Sequence, residues 1–402
     1  MLYYLEIWVE STKDTSMQET YDVVVIGAGP AGLSAVHHLY AKDSPRVLLV
    51  DKSTPWMRPK GCAEAVGRIG FEKAVEVRPS WIRFLVDKAS FHPPSGPSIT
   101  YTDKNKGYII NRALMQKDMA DQCKQLGADV VVDCAVTGVS TVMGGRRNVY
   151  FQNGSSISAS VVVDASGPIA GLGKFDKIPR KPLDLEPSCF AVVNIPDFPS
   201  NVVHIYIGQK IAPGGYAWVF PREKDVANIG IVIGKSFRGK VNMLGLLDAF
   251  LKLHFRDGKV LDRFAGSIPC QSGRRKMAAA GLLKTGDAAS SINPISRAGI
   301  VQAMISGGLA GDFALKMLGA QTLADSNSHA RDYEKAWHAA LGKTHCKLAR
   351  VKDFMQNVPD SDFEKAAQAL SEIPENKLTM SSIFKMSLGR FPRLVWAMRH
   401  LM

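Results

Sequence analysis

Three glycines near the N-terminus have the spacing of a loop that binds phosphate groups. Gly27, Gly29 and Gly32 form the pattern G-x-G-x-x-G between an apolar run, Val23–Ile26, and a helical pattern that begins at Pro30. In such a loop the first glycine makes a tight turn, the second lets backbone approach a pyrophosphate, and the third lets helix pack on strand. The phosphates bind the N-terminus of the helix. The pattern predicts a dinucleotide-binding loop.

An acidic residue follows the loop at the position from which a carboxylate can bind the ribose of a dinucleotide. A second apolar strand, Arg46–Val50, ends at Asp51, 19 residues after Gly32. A carboxylate at this place accepts hydrogen bonds from the ribose hydroxyls, and it disfavours a 2′-phosphate. The strand, helix and acid together therefore predict a site for FAD or NAD rather than for NADP.

Two later segments resemble elements of the FAD-dependent hydroxylase-like flavoproteins. An apolar strand, Ala159–Asp164, runs into small residues that end at Gly167. A short strand further on ends at Gly286 and Asp287, and it is followed by a long helix that begins at Gly299 and Ile300. The resemblance implies that Asp287 contacts FAD and that the helix start faces the isoalloxazine. The partial positive charge of a helix N-terminus would stabilise an anionic reduced flavin there.

Three motifs resemble those of the geranylgeranyl reductase family, and the resemblance covers about residues 20 to 400. The first is Cys62-Ala-Glu64, the second is the strand Gly107–Arg112, and the third is Pro213–Pro221, which matches P-x-x-Y-x-W-x-F-P. The resemblance implies an FAD enzyme that saturates isolated carbon–carbon double bonds of polyprenyl chains on a lipid, a diphosphate or a quinone.

Three residues are the candidates for catalysis. Such a reduction adds a proton to one carbon while hydride goes to the other, and positive charge develops at the tertiary carbon. Tyr216 and Trp218 point to one face of a strand, where their rings would stabilise that charge and line an apolar channel. Cys62 would contact the reacting carbon or relay a proton. The alternative is that Tyr216 and Trp218 are core aromatics and that Cys62 is a small buried hydrophobe.

The cofactor set follows from the glycine loop and from the resemblance. The residues expected to contact FAD are Gly27, Ala28, Gly29, Gly32, Asp51, Lys52, Cys62, Ala63, Arg112, Val136, Gly286, Asp287, Gly299 and Ile300. No second G-x-G-x-x-G exists, so electrons are expected from a transiently docking NAD(P)H or from a protein donor. The scattered cysteines predict no metal site.

The chain departs from the family pattern at two places. Many relatives have R-x-x-F-D where this chain has Arg112 to Gln116, and many have T-G-E-G where it has Ser296 to Gly299. The second change, which introduces Arg297, is expected to alter the charge near the flavin and to tune either its potential or headgroup binding.

The predicted fold class is α/β, with a discontinuous Rossmann-like FAD-binding domain, an antiparallel substrate sheet and a C-terminal helical segment. The 402 residues suffice for two or three domains. The FAD-binding domain is expected at 20–80, 106–170 and 276–345. Alternating apolar patterns place the substrate sheet at 81–105 and 171–275. The C-terminal helical region is expected at 346–402.

The net charge of +13 is spread along the chain without a nucleic-acid-binding motif, and no transmembrane helix is expected. Residues 377–402 alternate basic and apolar side chains, which indicates either peripheral contact with an anionic membrane or a helix packed on the protein itself. Six scattered cysteines and no signal peptide predict a cytoplasmic protein. Peripheral attachment to the inner face of the membrane is a further expectation. Met17 is an alternative start, which leaves open whether residues 1–16 are native.

Two other functions use the same motifs. An aromatic monooxygenase of this fold would consume oxygen and hydroxylate its product, whereas a non-catalytic flavin electron-transfer protein would bind FAD and convert no lipid. The Cys-Ala-Glu and Tyr-x-Trp-x-Phe-Pro motifs favour the reductase. The sequence predicts no oligomeric state.

Overall fold

The computed structural model describes residues 17–57, 61–168, 184–199 and 201–374, together with Leu172, Ile178 and Leu378. Within these residues the strands are β1 (Thr20–Ile26), β2 (Val47–Val50), β3 (Ala65–Gly67), β4 (Ile82–His92), β5 (Ile99–Ile110), β6 (Asp129–Val131), β7 (Val136–Val139), β8 (Arg147–Phe151), β9 (Ser156–Asp164), β10 (Leu185–Asn194), β11 (Val202–Tyr206), β12 (Tyr216–Glu223), β13 (Val226–Val232), β14 (Lys259–Pro269), β15 (Ala278–Ala279) and β16 (Leu282–Lys284).

The helices surround these strands. They are α1 (Pro30–Tyr40), α2 (Arg68–Ala74), α3 (Arg112–Gln125), α4 (Met243–His254), α5 (Ile300–Leu318), α6 (Leu323–Trp337), α7 (Lys343–Met355) and α8 (Asp360–Ser371). A π-helical turn, His338–Gly342, joins α6 to α7. No helix in the described part of the chain combines the length and the apolar character that a bilayer span requires.

The first sheet is the nucleotide-binding sheet. Six of its eight strands lie in the order β15-β16-β9-β1-β2-β6, while β8 pairs with β9 and β7 pairs with β8. Strand β1 is parallel to both β2 and β9. These short strands are apolar and buried because helices cover the parallel sheet. Helix α5 packs closely on α1, since a Cβ atom at Gly307 would overlap the carbonyl group of Ala31. The start of α1 is thereby held against the second turn of α5.

The second sheet, here called the substrate sheet, has the order β14-β10-β13-β12-β11-β4-β5-β3. Its neighbours are antiparallel except for β4 and β11, which are parallel. The exception has a topological cause. The chain passes through the nucleotide-binding sheet between β5 and β10, so no tight turn forces β11 to run against β4.

The two faces of the substrate sheet differ in their neighbours. The outer face packs under α4, where Leu247 and Phe250 cover Ile229 and Ile231. The inner face carries Phe190 and Trp218, and Ala63 from the first part of the chain packs against it. The inner face is therefore the one that meets the residues following the nucleotide-binding loop.

The chain alternates between the two sheets. Strands β3, β4 and β5 come from the chain between β2 and β6, and β15 and β16 follow the last strand of the substrate sheet. The predicted domain boundaries stay a prediction, and β3 inside the 20–80 segment pairs with β5. The region 377–402, for which a membrane contact is predicted, lies outside the described residues apart from Leu378.

Candidate active site

The glycine loop leaves an open space at one of its three glycines. Gly27 has φ of +106°, and a Cβ atom there would overlap the carbonyl oxygen of Ala165. A Cβ atom at Gly32 would overlap the carbonyl oxygen of Gly27, whereas Gly29 has nothing within 4 Å. Two glycines thus permit close packing, and Gly29 faces the space that a pyrophosphate needs.

Helices α1 and α5 both begin without a side-chain cap. Gly29 precedes α1 and Gly299 precedes Ile300 of α5, and neither glycine offers a side-chain acceptor. Helix α3, in contrast, is capped by Asn111, whose Oδ1 accepts the N–H of Leu114 at 3.2 Å. The N–H groups at the starts of α1 and α5 are therefore available to an anionic ligand.

Asp51 connects the end of β2 to the glycine loop. Its Oδ2 accepts the N–H of Ala28 at 2.9 Å, and its Oδ1 accepts the N–H of Ser53 at 3.0 Å. Lys52 beside it is exposed. Val136 lies close to Asp51 along the chain path. It is the first residue of β7 and follows Cys134 by two residues, and the N–H of Cys134 donates to the carbonyl of Asp51 at 2.9 Å.

Asp287 and Arg112 approach the same region from distant parts of the chain. Burial raises the pKa of Asp287, and the charge of Arg112 opposes that rise. Arg112 Nε donates to Oε1 of Gln116 at 2.8 Å, and Gln116 Nε2 donates to the carbonyl of Ala28 at 3.1 Å. Sequence reasoning missed the role of Gln116, although its position was visible as the departure from R-x-x-F-D.

These groups fit FAD. The open space at Gly29 and the uncapped helix starts suit a pyrophosphate, while the carboxylates of Asp51 and Asp287 are hydrogen-bond acceptors for hydroxyl groups. Gly286, which has φ of +56°, packs so closely that a Cβ atom would lie 2.7 Å from Cβ of Ala31. This brings the Asp287 turn against the start of α1.

Trp218 and Cys62 are linked through a residue that the sequence analysis did not identify. Trp218 Nε1 donates to Oδ1 of Asn228 at 2.9 Å, and Asn228 Nδ2 donates to the carbonyl oxygen of Cys62 at 2.8 Å. Asn228 is only 1% exposed. Its signal was present, because a polar residue stands at an inner-face position of the otherwise apolar strand β13.

A glycine makes room for the indole ring of Trp218. On neighbouring strands Phe190, Gly230 and Trp218 lie in one row across the inner face. A Cβ atom at Gly230 would overlap the indole and would lie 2.5 Å from Cβ of Phe190. Phe264 extends the row on β14, with its ring 4.7 Å from that of Phe190. The row forms an apolar, aromatic wall that faces Ala63.

Tyr216 shares the strand but has different partners. Its hydroxyl donates to the carbonyl of Ser296 at 2.6 Å, and the guanidinium carbon of Arg297 lies 5.1 Å from its ring centroid. Burial raises the pKa of Tyr216 to about 12. A cation therefore already occupies one face of the Tyr216 ring, whereas the indole of Trp218 contacts Phe190.

Arg297 does not leave an unbalanced charge near the loop that precedes α5. Its guanidinium pairs with Glu186, with Nη2 to Oε2 at 2.8 Å. Lys352 of α7 pairs with Oε1 of the same carboxylate at 3.0 Å and with Asp184 at 2.6 Å. The positive charge that Arg297 introduces is thus compensated, because Glu186 and Asp184 pair with Arg297 and Lys352. Through Glu186 of β10, Arg297 also connects the loop that precedes α5 to α7.

Glu64 is buried rather than solvated. It has φ of +60° and is 2% exposed, and Arg222 Nη1 lies 3.4 Å from its Oε2. The N–H of Glu64 approaches the Sγ of Cys62 at 3.3 Å. The buried ion pair therefore holds the Cys62 loop against the substrate sheet.

Two family models match parts of this chain, and two relatives match nearly all of it. The family model described as the geranylgeranyl reductase catalytic domain matches residues 187–268, and the model described as lycopene cyclase protein matches 22–180. The digeranylgeranylglycerophospholipid reductase of Methanocella arvoryzae is 30% identical over 394 residues, which cover 94% of this chain and 98% of that protein. Its counterpart in Methanocaldococcus jannaschii is 30% identical over 370 residues, covering 89% and 92%.

A solved structure shows the same fold. The geranylgeranyl bacteriochlorophyll reductase-like protein of Thermoplasma acidophilum superimposes with a TM-score of 0.85 at 24% identity, and the match covers 96% of this chain and 100% of that one. The two relatives at 30% identity, which match nearly the full length of this chain, decide the family. This chain belongs to the geranylgeranyl reductase family of FAD-dependent oxidoreductases.

Proposed function

We propose that this enzyme saturates isolated double bonds in the geranylgeranyl-type chains of a membrane glycerophospholipid. The names of the relatives in Methanocella and Methanocaldococcus support this substrate class. The observation that carries the proposal is the hydrogen-bonded line from Trp218 through Asn228 to Cys62, which lies on an apolar face. An isoprenoid chain needs such an apolar wall, and a polar substrate does not.

The proposed chemistry divides hydride and proton between two sources. Saturation breaks the π bond, with a hydride added to one carbon and a proton added to the other. FAD, when bound and reduced, supplies the hydride. We assign the proton to the thiol of Cys62, and the indole of Trp218 stabilises the positive charge that develops at the tertiary carbon. Tyr216 lines the channel, because Arg297 already occupies one face of its ring.

The remaining site residues are proposed to hold the cofactor. The N–H groups near Gly29 and Gly299 bind anionic groups of FAD, and Asp51 and Asp287 accept hydrogen bonds from its hydroxyls. The other proposed contacts are Gly27, Ala28, Gly32, Lys52, Cys62, Ala63, Arg112, Val136, Gly286 and Ile300. Electrons are proposed to come from a transient NAD(P)H or from a protein donor, and contact of 377–402 with an anionic membrane also stays a proposal.

Product analysis tests the function directly. The enzyme, loaded with FAD and reduced chemically, is incubated without oxygen with a digeranylgeranyl glycerophospholipid, a geranylgeranyl diphosphate or an isoprenoid quinone. Mass spectrometry is expected to show a gain of two hydrogens per double bond with the glycerophospholipid above all. A hydroxylated product formed only with oxygen would indicate the monooxygenase, and bound FAD without any product would indicate an electron-transfer protein.

Two variants test the proposed roles. Cys62→Ala is expected to retain FAD and to abolish reduction, whereas Cys134→Ala, a matched half-buried cysteine, is expected to retain both. Trp218→Leu removes the cation–π contribution of about 0.5–2 kcal/mol and also the hydrogen bond to Asn228 Oδ1, so the rate should fall at least about 2- to 30-fold with FAD still bound. An unchanged rate in either variant would make that residue structural.

A further inference from the structure

Nine of the 50 basic residues lie in three segments in or next to helix α7, outside the active site. The net charge of the chain is +13. Three segments, 235–240, 271–276 and 343–350, contain no acidic residue. Their basic residues are Lys235, Arg238, Lys240, Arg274, Arg275, Lys276, Lys343, Lys347 and Arg350. All of these are exposed except Arg275 and Lys347, which are half-buried.

Helix α7 contains the third segment and lies at the centre of the three. Lys343, Lys347 and Arg350 are spaced i, i+4 and i+7, which places them on one side of the helix. The opposite side is buried and contains His345, Ala349 and Lys352. At 1.5 Å per residue the helix gives this basic side a length of about 20 Å.

The segment 271–276 adjoins the start of α7. The guanidinium carbon of Arg275 lies 5.3 Å from the ring centroid of Trp337, and that ring lies 6.1 Å from the ring of His345. Burial lowers the pKa of His338, and the charges of Arg274 and Lys343 lower it further, so both cations lie close to His338.

The segment 235–240 adjoins the other end of α7. Gly234 packs so closely on Gln356 that a Cβ atom would lie 3.1 Å from its Nε2. Burial raises the pKa of Asp353, and the charges of Lys352 and Lys235 oppose that rise, so Lys235 lies near the last turns of the helix. We call the exposed basic side chains of the three segments the cationic face.

The chemistry of this face favours a lipid surface over an acidic protein. Protein interfaces have an apolar centre within a polar rim. Among the described residues, none of the large exposed hydrophobic side chains lies in the three segments. An anionic bilayer attracts basic residues additively and needs no apolar centre. The buried side of α7 also carries Lys352, which pairs with Glu186 next to the Arg297–Tyr216 contact.

We infer that the cationic face docks the enzyme on an anionic bilayer, with α7 lying between the membrane surface and the wall of the active site. The inference rests on the proposed function, because a glycerophospholipid substrate resides in the bilayer. The diameter of a helix, about 10 Å, then separates the lipid headgroups from the residues behind Tyr216.

Charge reversal tests the docking face. Arg274→Glu, Lys343→Glu and Arg350→Glu are combined, and a control combines Lys73→Glu, Lys124→Glu and Lys224→Glu, which are exposed elsewhere and change the net charge equally. Sedimentation is measured with vesicles of phosphatidylcholine alone or mixed equally with phosphatidylglycerol. Wild type and control are expected to bind only the mixed vesicles, and the face variant should bind them at least about 100-fold more weakly. FAD content and thermal unfolding verify the fold, and the single variants replace the triple one if it does not fold.

Several outcomes would overturn the inference. The first is that the face variant binds mixed vesicles as well as wild type does. The second is that the control variant loses as much vesicle binding as the face variant. The third is that wild type binds phosphatidylcholine vesicles as well as it binds the mixed vesicles. A face variant that binds mixed vesicles normally but loses reduction with a protein electron donor would instead indicate an acidic protein partner. Activity on detergent-dispersed lipid, expected to be equal in variant and wild type, separates this test from the proposed function. Vesicle binding by an enzyme that reduces no isoprenoid lipid would contradict the proposed function alone.

Discussion

The two faces of the substrate sheet are built by the same strands and differ in almost every other respect. The outer face of β13 carries Ile229 and Ile231, which are fully buried under α4. The inner face of the same strand carries Asn228 and Gly230, which hold and accommodate Trp218. Because successive side chains of a strand point to opposite faces of the sheet, the residues that pack under α4 are different from those that shape the site. The outer face is expected to supply stability, and the inner face to supply the form of the site.

The largest expected effect is on the outer face. Ile229→Ala removes a fully buried side chain from under α4 and should lower the free energy of unfolding by about 2–5 kcal/mol. The rate of the folded enzyme should not change. Urea unfolding and steady-state kinetics check both expectations. Leu261→Ala, at a position that is 53% exposed, is the control and should cost less than about 0.5 kcal/mol. A reduced rate in folded Ile229→Ala would break the separation of the faces.

An intermediate effect is expected at the link between sheet and loop. Asn228→Leu leaves the buried indole N–H and the Cys62 carbonyl without their partner, which costs about 1–3 kcal/mol. Here the rate should fall and the absorption spectrum of bound flavin should shift, because the Cys62 loop is released. Asn228→Asp keeps the acceptor for Trp218 and loses the donor to Cys62. If both variants kept the wild-type rate and spectrum, the link would serve packing alone.

The smallest effect concerns pH and again the outer face. His92 and His204 lie there, with Nε2 of His92 3.0 Å from Nδ1 of His204. Burial, together with the charges of His204 and His254, lowers the pKa of His92 to about 4. The unfolded chain therefore binds more protons between pH 6.5 and 4, so stability should fall as pH falls through this window and level off below it. His92→Phe should flatten the fall in melting temperature, and an equally steep fall in the variant would contradict the assignment.

The nucleotide-binding half follows from local sequence because its signals are close together. Gly27, Gly32 and Asp51 belong to one strand–helix–strand unit. Gly32 packs against the backbone of Gly27, and Gly27 packs against the backbone of Ala165, which directly follows β9. The sequence also places Tyr216 and Trp218 on one side of a strand, as the structure has them. Local patterns suffice for such features since periodicity and turn geometry act over a few residues.

The contacts that join the halves of the site could not be predicted in the same way. Asn228 and Cys62 are 166 residues apart, and Arg297 and Glu186 are 111 apart. Neither pair has a spacing rule, because their contact depends on how the two sheets pack. The parallel pairing of β4 with β11 was missed for the same reason, since an alternating pattern indicates a strand and not the direction of its neighbour.

The interleaving of the two sheets has a consequence for the order of events during synthesis. The glycine loop begins at Gly27, but Gly299, which precedes α5, is translated 272 residues later. At about 5–20 residues per second the ribosome needs roughly 15–50 s to cover that distance. Through this interval β1 and α1 exist without α5, so the nascent chain has half of a cofactor site and an uncovered apolar helix surface. FAD capture is therefore a late event, because the start of α5 is made only after every strand of the substrate sheet.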